Sequence, residues 1–260
     1  MIDLHTHLLP GIDDGPADAE GALALARTAA AQGTRTIAAT PHLRDDYPDV
    51  RPEELGERCA EMGTAIRAAG IDLEVVQGGE AGLMWAVHAS DEELRCASYG
   101  ASGRYLLVES PYGALTATFE QLLLSLADRG YRLLLAHPEN NPTFQEEPGR
   151  LRALAQRGVL LQVTARSLVR RGRRRPAASL AQSLVRDGLA HVLASDAHSG
   201  GSFRPPALAA GVDAAAELVG EKRALWMVEG APAAILAGEP LPEPPPAAPA
   251  RRGLLARLRR

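Results

Sequence analysis

The sequence predicts a parallel α/β fold made of repeated strand–helix units, and three observations carry that expectation. Short apolar, β-branched runs alternate with Ala- and Leu-rich amphipathic stretches through residue 219. Several of those stretches stop at a glycine. The polar residues best able to bind metal stand where the apolar runs end. In order, a strand at 2–5 leads to a helix near 18–32 closed by Gly33, and a strand at 35–39 leads to a helix near 52–69 closed by Gly70. A strand at 73–77 follows. A strand at 105–108 leads to a helix near 115–129 closed by Gly130, and one at 132–136 leads to a helix near 147–157 closed by Gly158. The last two units pair strand 159–163 with a helix near 177–188, ending at Gly188, and strand 191–194 with a helix near 206–219. Seven strands alternating with helices suggest a TIM-like barrel, although periodicity alone also allows an open doubly wound sheet.

Composition narrows the class. The 260 residues are 46% hydrophobic and 23% charged, which suits one globular domain, and no apolar run is long enough to span a bilayer. Met1-Ile2-Asp3-Leu4-His5 enters a strand pattern without the basic and apolar blocks of a signal peptide, so a cytoplasmic location is expected. Residues 240–249, six of them proline, read as a stiff extended linker, which sets the expected domain at 1–239 and a Pro-rich, basic, disordered tail at 240–260. Setting aside 238–260, the body carries 23 basic and 30 acidic residues, a balance that disfavours nucleic acid as a partner. Cys59 and Cys96 lack metal or disulfide spacing.

The strand ends hold the chemistry. His5 and His7 leave the first strand on one side, as residues i and i+2 must. His42 follows the second strand, Glu80 the third, Glu109 the fourth, His137 the fifth, and Asp196 and His198 the last. In a parallel α/β fold these ends converge on one face, and carboxylates crowded there resist ionisation unless cations offset them. Imidazole and carboxylate without sulfur suit Mn, Fe or Zn. His88 and His191 fall outside the pattern and read as structural.

His5-Thr6-His7, Asp13-Asp14-Gly15-Pro16, Thr40-Pro41-His42, Gly79-Glu80, Val108-Glu109, Ala136-His137-Pro138-Glu139 and Ser195-Asp196-Ala197-His198 together resemble the PHP (polymerase and histidinol phosphatase) superfamily. Within it they resemble the bacterial tyrosine-protein phosphatases of the CpsB/YwqE type, over about residues 1–237. The resemblance implies a distorted (β/α)7 barrel with three divalent metal ions, manganese foremost, with iron or zinc as alternatives. It implies His5, His7, Glu80 and Asp196 around one metal, Glu80 bridging to a second held by Glu109 and His137, and Asp14, His42 and His198 around a third. Glu80, His42, Asp14 and Arg204 are the implied catalytic residues, with Arg204 in Arg204-Pro205-Pro206 holding phosphate. Asn140 is a departure, because these phosphatases often carry arginine there.

The implied activity is hydrolysis of phosphotyrosine on the tail of a bacterial tyrosine kinase serving capsule or exopolysaccharide synthesis. Small-molecule phosphatase activity, as on histidinol phosphate, and a non-catalytic phosphotyrosine-binding role are the alternatives. A cysteine-phosphatase mechanism is set aside, because neither Cys59 nor Cys96 sits in a His-Cys-x5-Arg pattern. Arg170 and Arg171, with Arg173, Arg174 and Arg175, follow the strand at 159–163 and form a candidate substrate-binding rim. The tail from Arg251 to Arg260 suits peripheral contact with an anionic membrane.

Overall fold

The computed structural model describes residues 1–169, 175–201 and 203–248. Among the described residues nine strands form, in chain order: β1 (Ile2–Thr6), β2 (Thr36–Ala39), β3 (His42–Leu43), β4 (Glu74–Gln77), β5 (Glu80–Gly82), β6 (Tyr105–Glu109), β7 (Arg132–Ala136), β8 (Leu160–Thr164) and β9 (Val192–Ala194). Every pairing is parallel. One sheet has the order β1-β2-β4 and the other β3-β5-β6-β7-β8-β9. The seven expected strands appear within a residue or two. β3 and β5 were not expected, since two or three residues beyond a break carry no readable period.

Those breaks have local causes. Pro41 offers no N–H between β2 and β3, and Gly78-Gly79 interrupts β4 and β5 where a Cβ on Gly79 would lie 2.5 Å from Leu43 Cδ1. Backbone bonds nevertheless cross the breaks, from Gly78 N–H to Ala39 O (3.0 Å) and from Glu80 N–H to Pro41 O (3.0 Å). At the other margin Thr6 bridges to Ala197 in parallel sense, Asp196 N–H donates to His5 O (2.9 Å) and His7 N–H donates to Ala197 O (2.9 Å).

The expected helices form at Ala19–Ala31, Leu55–Ala68, Phe119–Asp128, Gly149–Gln156, Pro176–Arg186 and Leu208–Val219. Gly33, Gly70, Gly130, Gly158 and Gly188 all take positive φ just past helix ends, the conformation a Cβ would penalise. Shorter helices such as Leu83–His88 and Asp91–Ala97 escaped the sequence reading because one or two turns show no usable period. Apart from β4, which stays partly exposed, the strands are largely buried on both faces, β6 along its whole length, and the core runs from Leu4 and Ile37 through Leu106, Leu134 and Leu161 to Leu193.

His88 lies outside the strand-end pattern and bonds Met84 O through Nδ1 (2.7 Å). His191 Nδ1 accepts the Leu161 N–H (3.1 Å).

Residues 239–248 run extended beneath the N-terminal ends of the strands. Tyr105 hydroxyl donates to Glu239 O (2.6 Å), Leu241 packs on the core, Arg223 Nη1 donates to Pro245 O (3.0 Å) and Ala248 N–H donates to Val219 O (2.9 Å). The basic tail, Arg251 to Arg260, lies outside the described residues. Among the described residues no helix is long and apolar enough to cross a membrane.

Candidate metal centre

Sheet register sets the site. His42 and Glu80 are direct partners across β3 and β5, while Glu109 pairs with Ala136 across β6 and β7, so Glu109 and His137 leave adjacent strands at one height. His5 and His7 extend from β1, and the β1–β9 margin brings Asp196 and His198 alongside them. Asp14 arrives on the loop after β1. That loop depends on Gly15, where a Cβ would approach His7 O to 2.5 Å. His137 (φ 30°), Asp196 (φ 52°) and Arg204 (φ 43°) all hold left-handed backbone, which is uncommon for residues with side chains and concentrates at working sites.

All nine candidate ligands meet. Their donor atoms form four overlapping sets, each within 4.8 Å: His7, Asp14, His42 and His198; His5, His137 and Asp196; His5, His7 and Glu80; and His42, Glu80 and Glu109. Glu80 is the hub. Its Oε2 lies 2.9 Å from His42 Nδ1, 3.3 Å from His5 Nε2 and 3.5 Å from His7 Nε2, and its Oε1 lies 2.8 Å from His137 Nε2. Asp14 Oδ1 faces His198 Nε2 (3.1 Å) and His42 Nε2 (3.4 Å). His137 sits with His5 and Asp196 as well as near Glu109 Oε1 (3.8 Å), so it spans two of the groups that the resemblance keeps apart.

The donor set fits divalent cations. Of the eleven buried side-chain atoms without a hydrogen-bond partner among the described residues, six lie here: Nε2 of His5, His7 and His198, Nδ1 of His42, Glu80 Oε2 and Asp196 Oδ1. Buried polar atoms left unpaired are costly, and six in one place mark a position for something other than protein. The opposite ring nitrogens are tied. His7 Nδ1 donates to Asp13 Oδ2 (2.7 Å), His5 Nδ1 to Gln162 Oε1 (3.0 Å) and His198 Nδ1 to Asp196 O (3.1 Å), which leaves each Nε2 lone pair facing the cluster.

Electrostatics match. Burial disfavours the imidazolium forms, yet the surrounding carboxylates overcome it, carrying His7 to about 9, His42 to about 10 and His137 to about 10. Burial also opposes ionisation of Glu80, but His5, His137 and His42 hold it well below the usual carboxylate range. Glu109 goes the other way, raised by burial and by the Glu80 charge. Cations can replace the protons in this balance.

Several supporting residues escaped the sequence reading. Asp13 stands in the quoted Asp13-Asp14-Gly15-Pro16 run but draws no notice beside Asp14, although it also accepts the His42 N–H (3.0 Å) and the Gly15 N–H (2.9 Å). Asp3 and Gln162 are fully buried on β1 and β8, and a charged or amide side chain inside an apolar strand was the available signal. Asp3 accepts the Ser195 N–H (2.9 Å) and is pushed up to about 6 by burial. Arg44 donates from Nη1 to Glu109 Oε2 (2.8 Å) and to the Tyr112 hydroxyl (2.6 Å), contacts that join loops far apart in sequence.

A cavity of about 90 Å³ opens over the cluster, walled by His42, Glu109, His137, Asp196, Asn140 and Arg204. Arg204 reaches Asp196 Oδ2 at 2.5 Å and Asp14 Oδ2 at 3.6 Å, so a guanidinium stands at the mouth. Arg170, Arg171, Arg173 and Arg174 lie outside the described residues, and Arg175 is exposed ahead of helix Pro176–Arg186.

Comparison with known proteins identifies the relatives of this chain. The chain is 34% identical to a tyrosine-protein phosphatase, YwqE, of Bacillus subtilis over 200 residues, covering 76% of this chain and 78% of that one. It is 26% identical to the tyrosine-protein phosphatase CpsB of Streptococcus pneumoniae over 232 residues, covering 86% and 93%. Among solved structures, one described as YwqE from Bacillus subtilis and CpsB from Streptococcus pneumoniae, unique metal-dependent tyrosine phosphatases, matches with TM-score 0.82 and 30% identity, covering 96% of this chain and all of that one. An organophosphorus hydrolase variant from Deinococcus radiodurans shares the fold alone, with TM-score 0.51 and 16% identity over 90% and 92%. The family described as capsular polysaccharide synthesis, CpsB/CapC, matches residues 1–237, and the chain belongs to that family.

Proposed function

We propose that this chain is a metal-dependent protein-tyrosine phosphatase that acts on a phosphotyrosine-bearing bacterial kinase tail in capsule or exopolysaccharide synthesis, in the cytoplasm. The observation that carries the reading is the convergence of nine ligand-type side chains beneath a small cavity edged by a guanidinium. Three ions, manganese foremost, suit nine donors. His5, His7, Glu80 and Asp196 would hold one, Glu80, Glu109 and His137 a second, and Asp14, His42 and His198 a third. The interrupted pairs β2–β3 and β4–β5 each count as one strand in a distorted (β/α)7 barrel, a reading supported by the bonds across the breaks and at the β1–β9 margin. The family match to residue 237 supports a catalytic domain of 1–239 with 240–260 appended.

Bound cations would supply Lewis-acid stabilisation of phosphoryl oxygens and acidify water for attack. The chain's own residues do the rest. Asp13 and Gln162 fix the tautomers of His7 and His5, so neither ring must reorient during turnover. Arg204 supplies charge-assisted hydrogen bonds to equatorial oxygens while its contact with Asp196 keeps it at the mouth. Neither cysteine takes part: both are buried, and burial pushes the Cys59 thiol up to about 12.

The test is turnover on a phosphotyrosyl peptide with Mn²⁺ before and after chelation, beside histidinol phosphate. Chelator-sensitive release from the peptide at the higher kcat/KM is the expected result. A preference for histidinol phosphate would move the enzyme to the small-molecule branch.

A further inference from the structure

Among the described residues four large apolar side chains are exposed, Met84, Tyr112, Val169 and Phe203, and each lies in the segment that follows the carboxyl end of a strand: β5, β6, β8 and β9 in turn. The exposed apolar surface therefore gathers on the face that carries the ligands. Met84 (50% exposed) and Tyr112 (69% exposed) border a cavity of about 260 Å³. Leu83, Met84 and Trp85, from the short helix directly after β5, make its apolar lining together with Pro111 and Tyr112 from the loop after β6. This cavity adjoins the one over the metal ligands, since Glu109, Ser110, Pro111 and Tyr112 line both. A peptide whose phosphoryl group sits over the ligands passes it within a residue or two, at about 3.3 Å of extended chain per residue. The polar part of the lining offers an anion nothing. Arg44 is its one cation, and that guanidinium already bonds Asp46 twice (3.0 and 2.8 Å), Glu109 Oε2 (2.8 Å) and the Tyr112 hydroxyl (2.6 Å) while lying 4.9 Å from the Tyr112 ring centre. Asp45, Asp46 and Glu109 set three carboxylates against it.

We infer that this cavity is a side-chain subsite for the substrate, taking an uncharged apolar residue within two positions of the phosphotyrosine, and that Met84 is its specificity-determining residue. The inference rests on the phosphotyrosine reading above. Because the two cavities share a wall, the occupant is part of the same chain that carries the phosphoryl group. Met84 suits the role: its unbranched thioether adapts to side chains of different shape, and at half exposure it contributes little to the core. Covering it and Tyr112 removes apolar surface from water before and during the chemical step alike, so the subsite tightens binding and leaves turnover alone.

The experiment uses the full chain loaded with Mn²⁺. Four substrates are compared: p-nitrophenyl phosphate and three phosphotyrosyl peptides that differ only at the two positions on either side of the phosphotyrosine, filled with leucine, glutamine or glutamate. The wild type is expected to favour the leucine peptide and to take the glutamate peptide least well. M84Q, which keeps the length of the side chain and makes its end polar, raises KM for the leucine peptide about fivefold with kcat unchanged, as an apolar contact is lost. On the glutamine peptide and on p-nitrophenyl phosphate its kcat/KM stays within about twofold, which also shows that the fold and the metal centre are intact. M84L, apolar and of similar volume, keeps the preference. A wild type without preference for the leucine peptide, a preference that survives M84Q, or an equal loss on all four substrates overturns the subsite alone. Failure of the wild type to hydrolyse any phosphotyrosyl peptide overturns the underlying reading and this inference with it.

Discussion

Glu80 is fully buried and touches four imidazoles, whereas Asp14 is 39% exposed and its oxygens face three imidazoles and Arg204 near the solvent edge. Neutralising the buried hub removes the charge that several ligand sets share, so Glu80→Gln is expected to retain less activity and less bound metal than Asp14→Asn. Elemental analysis alongside kcat with Mn²⁺ decides it, and the reverse order would place the bridge elsewhere. The cysteines provide the opposite test. Cys59→Ser with Cys96→Ser should leave activity within about threefold, because buried thiols with raised pKa supply no nucleophile. Complete inactivity of a folded double variant would contradict the metal-dependent route. At this scale the nine candidate ligands that converge were legible, since His, Asp and Glu at strand ends announce themselves by type and position. Asp13, Gln162 and Arg44 were not, because what they do depends on partners 6, 157 and 65 residues away.

The start of β9 carries a separate pH sensitivity. His191 accepts the Leu161 N–H and so must stay neutral at Nδ1, and burial together with the Arg223 cation depresses it to about 4. The unfolded chain, with an ordinary histidine near 6.5, binds the proton first, so this group's contribution to stability is full above about 6.5 and is lost as pH falls toward 4. Thermal unfolding of His191→Gln should therefore change less between pH 7 and pH 5 than that of the wild type. An equal drop in both proteins would assign the acid sensitivity to other groups. Among the elements, long strands and helices with glycine stops could be read because burial repeats along them. β3, β5 and short helices such as Leu83–His88 and Asp91–Ala97 could not, because their formation is decided by neighbours in the fold.

For the molecule as a whole, four carboxylates and five imidazoles crowd one end of the fold, and their fit without cations depends on shared protons. Removing metal should therefore loosen the entire α/β unit. Chelation is expected to lower the Tm, and Mn²⁺ is expected to restore it as a ligand bound only by the folded state does. An unchanged Tm after verified metal loss would show that the sheet holds its ligands in place unaided. The parallel α/β class was plain from the alternation of runs. The packing of 239–248 against Tyr105, Arg223 and Val219 was not, because proline-rich composition says how stiff a segment is and nothing about what it lies against.

That packing fixes a direction. The chain leaves Ala248 from the side of the fold opposite the strand ends that carry the nine ligands, beside Val219 and Gly220. Anything that grips the last twelve residues, whether a lipid surface, a partner or a resin, would hold the enzyme by its back and turn its catalytic mouth outward. A substrate anchored to the same support would then have to reach around the body on a flexible arm, and tail length, on enzyme or substrate, becomes a determinant of rate when both are immobilised.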